Sequence, residues 1–351
     1  LISTLLARET LANVLSLKSE YLLPAIFILV LDALVVVPFA RLRILQKAKR
    51  YTWIKLINVG LNLFLNILFL WFLPTMETTS VAGIHLQFSD PVNAILAANL
   101  LASGLTFILL LPHYSLLAAG WDKKLLARML RYAYPVLIAG LAFAVNETFD
   151  RILLDRLLPP GISAQAVGAY SACYKLAMFV TLFSTAFRLG IEPFFFSKAK
   201  DANAPETYAT VTHYFVALGS WVVLGVVTFS EVLKTLLIRD AAYWEAMKVV
   251  PVLLFANLFL GIYLSVAYKV TDKTLIGAFI SVVGAVITLS LNFWLIPTIS
   301  YMGSAWATLA AYGSMMLLSL YWGKKYLPIP YNYPKTGGYL VLAAFFAVVS
   351  F

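Results

Sequence analysis

Ten apolar stretches follow one another along the chain, each near the ~20 residues that a helix needs to cross a bilayer. They lie at about 21–40, 53–73, 91–111, 134–157, 167–187, 209–229, 249–268, 275–295, 303–322 and 337–351. A backbone facing lipid must satisfy its own hydrogen bonds, so each stretch is expected to be a helix. The runs are too long and too continuous for barrel strands, which alternate over ~10 residues. Of the 351 residues, 62% are hydrophobic and 12% charged, whereas a soluble domain is about a quarter charged. The chain therefore reads as an all-α polytopic membrane protein, with no polar stretch long enough to fold as a soluble domain. It starts at Leu1 and stops at Phe351 inside an apolar run, and residues 1–7 resemble the tail of an earlier span. It reads as an internal fragment with spans missing at both ends.

The net charge of +10 does not point to nucleic acid, because the charges fall between the apolar stretches and form no single patch. Their distribution sets orientation instead. The connections 41–52, 112–132, 188–207, 269–274 and 323–336 hold 17 lysines and arginines, and the opposite set holds 6. The first set is expected to face the cytoplasm. The remaining three of the 26 basic residues, Lys55, Arg151 and Lys175, fall inside spans. The connection 112–132 places Trp121, Leu125 and Met129 on one helical face and Lys124, Arg128 and Arg131 on another. This pattern suits an amphipathic helix at the interface, either resting on lipid or hinging two lobes. The single cysteine, Cys173, excludes an intrachain disulfide.

Charges inside spans are the chemical signal, since each costs at least ~2.5 kcal/mol to insert. The segment Tyr134–Leu158 carries Asn146, Glu147, Asp150, Arg151, Asp155 and Arg156. Glu147 lies three residues from Asp150 and four from Arg151, so the three share a helix face, with Asn146 beside it. Two readings are open: a self-neutralised Glu147–Arg151 pair, or one wall of a hydrated cavity. Asp155 and Arg156 lie at the outer end and read as interfacial. Lys175, in the middle of the next span, needs either Glu147 or Asp150 as partner or an anionic ligand. Arg188 and Glu192 are four apart and read as a gate pair or as interfacial anchors, and Pro193 is expected to end or kink the helix. Asn58, Asn62 and Asn66 form a polar stripe on the span that holds Lys55. The stripe suits helix–helix hydrogen bonds or a cavity for polar sugars. Asp32 is a candidate proton or cation site. Catalytic signals are poor: His85, His113 and His213 lack metal-ligand spacing, and no phosphate-binding glycine loop appears.

At these residues the chain resembles a known family. GAYSACYKLAMFVTLFSTAFRLGIEPFFFSKAKD, from Gly168 to Asp201, is similar to the polysaccharide biosynthesis flippases. These are the Wzx-type O-antigen translocases of the multidrug/oligosaccharidyl-lipid/polysaccharide exporter superfamily. YPVLIAGLAFAVNETFDRILL, VPVLLFANLFLGIYLSVAYKVTDKT, GAVITLSLNFWLIP and YMGSAWATLAAYGSM carry the same resemblance, as does the N-terminal LDALVVVPFARLRILQKAKRYTWIKLINVGLNLFLN. The resemblance implies a two-lobed, six-plus-six helix transporter fold of MATE type. Residues 1–111 would be the remnant of the N-terminal lobe, from the end of span three to span six. Residues 112–132 would be the cytoplasmic interlobe linker, 133–323 the C-terminal lobe of spans seven to twelve, and 324–351 a cytoplasmic loop and the start of an extra span.

The resemblance also implies a function. The protein would be a flippase, not an enzyme, in the bacterial inner membrane. By alternating access it would move an undecaprenyl-diphosphate-linked oligosaccharide to the periplasmic leaflet, for O-antigen, capsule or exopolysaccharide. Arg151 and Lys175, then Arg188 and Lys55, would offset the diphosphate. Asn146, Glu147, Asp150, Glu192, Asp32, Asn58 and Asn62 would line the cavity or couple an ion. No cofactor is implied, and energy would come from a proton or sodium gradient or from the membrane potential. Implied partners are the lipid-linked oligosaccharide, membrane lipids, a polysaccharide polymerase and a chain-length regulator. Two alternatives are a cation-coupled multidrug exporter and a membrane glycan transferase or ligase. The latter fits poorly, because the longest outer connections, 74–90 and 230–248, are short and poor in catalytic groups.

Overall fold

A computed structural model describes residues 18–72, 80–81, 84–85, 90–114, 122–199, 201–262 and 273–350. The side chains of residues 80, 81, 84, 85, 192 and 196 lie outside that description. Each of the ten apolar stretches is helical where described. The helices are α1 (Ser19–Ile44), α2 (Ala48–Ile67), α3 (Pro91–Leu110), α4 (Lys123–Leu157), α5 (Pro160–Lys198) and α6 (Ala204–Thr228). They continue as the short α7 (Ser230–Leu237), then α8 (Val249–Ile262), α9 (Thr274–Ile299), α10 (Tyr301–Tyr326) and α11 (Tyr333–Val349). A π-helical turn, Leu68–Phe72, extends α2, and a 3-10 turn, Ala241–Lys248, leads into α8. The only strands among the described residues are the two-residue pair Ser80–Val81 and Ile84–His85.

Seven of these helices, with their short extensions, are long and apolar enough to cross a membrane: α1, α2, α3, α5, α6, α8 and α9. The count is below ten for visible reasons. Helix α4 holds Glu147, Asp150 and Arg151 close together, α10 is rich in hydroxyl residues, and α11 has 17 residues. Large apolar side chains point outward, among them Trp53, Phe64, Trp71, Trp221 and Val348. Such a surface fits lipid and would be a liability in water. The chain is a multi-pass membrane protein.

Two expectations about helix boundaries are corrected. Residues 123–132 do not form a separate interfacial helix but are the first turns of α4, which runs 35 residues without a break. The expected face with Trp121 lies partly outside the described residues. Pro193, expected to end or kink its helix, does not end it, since α5 continues to Lys198. The connection expected over 188–207 is correspondingly shorter. A proline inside a helix removes one N–H and crowds the carbonyl four residues back. Membrane helices absorb that loss through neighbouring donors and local adjustment, and α1, α4 and α9 also carry internal prolines.

The chain divides into two compact units, Leu1–Trp121 and Asp122–Phe351. Lipid offers no hydrophobic drive for helix association, so close packing and polar contacts must hold helices together. In the first unit α3 packs against both α1 and α2. Its Ala94, Ala98 and Ala102, four residues apart, are buried and let the neighbouring backbones approach. At one end Lys18 forms an ion pair with Asp90 at 2.8 Å, and the Tyr21 hydroxyl donates to the same carboxylate. These contacts tie the start of α1 to the start of α3. In the second unit α8 is apolar except for the buried Asn257 and is the most enclosed of the seven spans, as expected for a helix at the centre of a bundle. It packs on α10, α5 and α6, while α9 packs on α4 and α10 and α5 packs on α4. The α9–α10 turn is tight. Ser300 sits at φ 52°, and Gly303 lies so close to Leu295 that a Cβ there would stand 2.6 Å from its carbonyl carbon.

Two outcomes are expected. Gly303→Ala should lower the thermal midpoint by an amount equivalent to ~1–3 kcal/mol of overpacking. Gly225→Ala, with open space at the Cβ position, should leave it unchanged. The second concerns pH. Hydrogen bonds from Lys18, then Tyr21, then the Val92 amide hold the Asp90 carboxyl well below the usual carboxylate range. A depressed folded-state value means that the contribution is complete above the unfolded value of ~3.9 and is lost as pH falls through the folded value. Amide exchange at Val92 and Asn93, relative to the unfolded chain, should therefore stay protected at neutral pH and open below about pH 4. Asp90→Asn should remove that pH step.

Candidate functional site

Four helices of the second unit carry polar residues at four-residue spacing along one face. These are Asn146 and Asp150 on α4, Tyr170 and Tyr174 on α5, Thr288 and Asn292 on α9, and Ser304, Thr308 and Tyr312 on α10. A spacing of four places side chains above one another on a helix. The four faces therefore meet as stripes and form one buried network.

Asp150 is 0% exposed. Its carboxylate accepts from the Tyr170 hydroxyl at 2.7 Å, the Thr308 hydroxyl at 3.1 Å and the Asn292 amide at 3.3 Å. Glu147 accepts from the hydroxyls of Tyr312 at 2.6 Å and Tyr174 at 2.8 Å. The Asn146 amide oxygen accepts from Thr288 at 2.6 Å, and the Asn292 amide oxygen accepts from Ser304 at 2.8 Å. Gly284 makes room beside them: a Cβ there would meet Met315 Sδ at 2.3 Å and Asn146 Nδ2 at 3.5 Å.

The expected Glu147–Arg151 ion pair does not form. Arg151 Nη1 donates to the backbone carbonyl of Glu147 at 2.7 Å, and the guanidinium lies over the Tyr174 ring, 4.6 Å from its centre. Lys175 is not brought to the acids either. It follows Tyr174 on α5 and points about 100° away from it, onto an exposed face. None of the ion pairs among the described residues involves Glu147, Asp150, Arg151, Lys175 or Arg188. Arg188 is half-buried on α5. The gate pair expected with Glu192 lies outside the described residues, because that side chain does.

Two carboxyls thus sit within one bundle, opposed by neutral donors and by no basic group at ion-pairing distance. Hydroxyls and amides lower the cost of burying a charge but do not neutralise it. Chemically, carboxylate oxygens in such a place can accept a proton or a hard cation. No group of three or more His, Cys, Asp or Glu side chains suited to a metal is found among the described residues.

The first unit holds a second polar site. A cavity of about 400 Å³ lies among α1, α2 and α3 and is lined by Asp32, Arg43, Tyr51, Lys55, Asn58, Asn62, Asn99, Ser103 and Thr106, with Val35, Val36 and Phe39. The asparagine stripe both joins helices and faces this cavity. Asn58 donates to Thr106 Oγ1 at 2.8 Å and to the Ala102 carbonyl at 3.1 Å, and Asn62 donates to Asn99 at 2.6 Å. Asn66 is bound back to Asn62 at 2.8 Å. Asp32 accepts from Ser103 at 2.8 Å. The Lys55 ammonium stands 4.6 Å from the Phe39 ring centre and the Arg43 guanidinium 5.8 Å from that of Tyr51. Arg43, Asn99, Ser103 and Thr106 escape a reading by charge inside spans. For Asn99, Ser103 and Thr106 the signal is a spacing of four and then three, which puts them on one face of α3, whereas Arg43 counts with the basic connection after α1 and carries no such signal.

A double-mutant cycle separates the two roles assigned around Glu147. Tyr312→Phe with Glu147→Gln should show a coupling of ~0.5–3 kcal/mol in unfolding free energy. Arg151→Met with Glu147→Gln should show almost none, because the arginine is bonded to a carbonyl that the glutamine retains.

No family model matches the sequence, and no curated protein does. Similarity appears at the level of structure. The chain superposes on a MATE crystal structure in the bent conformation with a TM-score of 0.63 at 15% identity, covering 98% of this chain and 75% of that one. The Vibrio cholerae MATE transporter VcmN in the bent form gives 0.66 at 14% identity, over 96% of this chain and 76% of that one. A MATE structure in the straight conformation gives 0.66 at 14% identity, over 92% and 74%. The chain is a helical, multi-pass membrane protein with the fold of the MATE transporters.

Proposed function

We propose that this protein is a membrane exporter that works by alternating access, and that its cargo is a lipid-linked oligosaccharide carried on a diphosphate. The polar cavity of the first unit is the observation that carries the reading. Its amides and hydroxyls, from Asn58, Asn62, Asn99, Ser103 and Thr106, match the alternating donors and acceptors of a sugar. Arg43 and Lys55 offer positive charge to a diphosphate, and an arginine can hold phosphate oxygens through two parallel bonds. The one carboxylate there, Asp32, already accepts from Ser103. A lipophilic cation would favour acids and free aromatic faces, whereas the Phe39 and Tyr51 rings here already face Lys55 and Arg43. The likeness to MATE structures supports the transport cycle.

The acid cluster of Glu147 and Asp150 supplies the coupling site in this reading. A proton or sodium ion arriving there replaces hydrogen bonds from α5, α9 and α10, and so changes how four helices are held together. Arg151 keeps Glu147 and Tyr174 in place and is a positioning residue. Lys55 and Arg43 take precedence over Lys175 and Arg188 as diphosphate contacts, because they share a cavity with the polar stripe. The cell location consistent with this cargo is a bacterial inner membrane, with polymerising enzymes as downstream partners.

The test is complementation of a flippase-deficient strain with the full-length protein. Arg43→Ala with Lys55→Ala should reduce surface glycan at least tenfold while membrane levels of the protein stay unchanged. Undiminished glycan in the double variant would overturn the phosphate role. Failure of the parent protein to restore glycan, together with export of a cationic dye, would favour the multidrug reading.

A further inference from the structure

A second cavity, of about 310 Å³, lies where the first turns of α6 meet the start of α11. This volume is at the lower limit of small-ligand sites. It belongs to neither polar site described above. Its lining is ionic and hydrogen-bonding: Glu206, Thr210, His213 and Tyr214 from α6, and Asn332 and Lys335 from the start of α11. Helices α6 and α11 pack on each other, and His213 Nδ1 lies 3.3 Å from Thr336 Oγ1, with its ring against Tyr339 at 5.3 Å. The floor is therefore anchored to both helices. Asn332 caps α11 by accepting from the Lys335 amide at 3.2 Å, which fixes the first turn that carries the lysine.

The cavity holds one acid and one base that are not paired with each other. None of the ion pairs among the described residues joins Glu206 to Lys335, although both line the same space. Two opposite charges held apart in one pocket are complementary to a ligand that carries both signs at a short, fixed separation. The surroundings place that ligand at the membrane. Tyr331 and Tyr333 lie with ring centres 6.0 Å apart at the start of α11, as aromatic residues do at headgroup level. Lys324 lies over the Tyr333 ring at 4.9 Å. From the cavity, one face of α6 continues as Tyr214, Leu218 and Trp221, spaced for a single helical stripe and respectively 61%, 52% and 78% exposed. That stripe is an apolar track leading away from a polar pocket.

We propose that this cavity binds the headgroup of phosphatidylethanolamine. Lys335 and the first turn of α11 hold the phosphate, and Glu206 with Thr210 accepts the ammonium protons. The acyl chains lie along Leu218 and Trp221. Glu206 sets the specificity. A primary ammonium donates charge-assisted hydrogen bonds to the carboxylate, whereas the methyl groups of choline cannot, and the neutral glycerol of phosphatidylglycerol brings no positive charge to offset it. The inference is independent of the exported cargo, because the site shares no residue with the cavity of the first unit or with the acid cluster.

The experiment is native mass spectrometry of the full-length protein extracted from nanodiscs that contain dioleoyl phosphatidylethanolamine, phosphatidylcholine and phosphatidylglycerol in equal amounts. Phosphatidylethanolamine should be retained at least fivefold over each of the others. Glu206→Gln should bring phosphatidylethanolamine and phosphatidylcholine to parity, and Lys335→Ala should reduce retention of both. Both residues are exposed, and a thermal melt of each variant checks that folding is intact. Inorganic phosphate at millimolar concentration should not displace the lipid. Equal retention of the three lipids by the parent protein, a preference for phosphatidylglycerol, or full displacement by inorganic phosphate would each overturn the proposal.

Discussion

A carboxylate buried in a membrane protein has no water to turn to, and that constraint organises the second unit. Asp150 and Glu147 draw donors from three other helices, five in all. Each donor fixes the rotation and height of the helix that carries it. Tyr170 and Tyr174 set the face that α5 turns inward, and Thr308 and Tyr312 do the same for α10. Asn146–Thr288 and Asn292–Ser304 extend the arrangement along α9. With lipid supplying no hydrophobic drive, this network and the small-residue contacts specify which faces meet. The outward faces need only be apolar.

The first unit follows the same rule to a different end. Its polar groups satisfy one another only in part and leave a lined space. Asn58, Asn62 and Asp32 each have a partner on α3, yet all border the cavity beside Arg43 and Lys55. Amides and carboxylates have more hydrogen-bonding capacity than one contact uses, so the same side chains can brace helices and receive a polyhydroxylated ligand. One unit thus holds a closed network and the other a lined cavity, and the proposed function assigns ion coupling to the first and cargo binding to the second.

Much of this was legible in the chain. The apolar stretches gave each helix because length and continuity admit nothing else in a bilayer. The anomaly at Asn146, Glu147, Asp150 and Arg151 marked the segment that centres the buried network, since the cost of charge at depth is large. The partners were harder to see. Tyr170, Thr288, Asn292, Ser304, Thr308 and Tyr312 are ordinary residues in membrane helices, and only their four-residue spacing on three separate helices marks them. Arg151 misleads for a physical reason: a spacing of four suits an ion pair, but a guanidinium also finds a carbonyl and an aromatic face nearby. Pro193 misleads because its effect on a helix depends on neighbours that the local sequence does not contain.

The most direct measurement is the rate at which a fluorescent undecaprenyl-diphosphate oligosaccharide crosses the bilayer of proteoliposomes holding the full-length protein. The account predicts protein-dependent translocation that accelerates when a proton or sodium gradient is imposed, and that Asp150→Asn uncouples from the gradient. Translocation no faster than in protein-free vesicles, under either gradient, would contradict it.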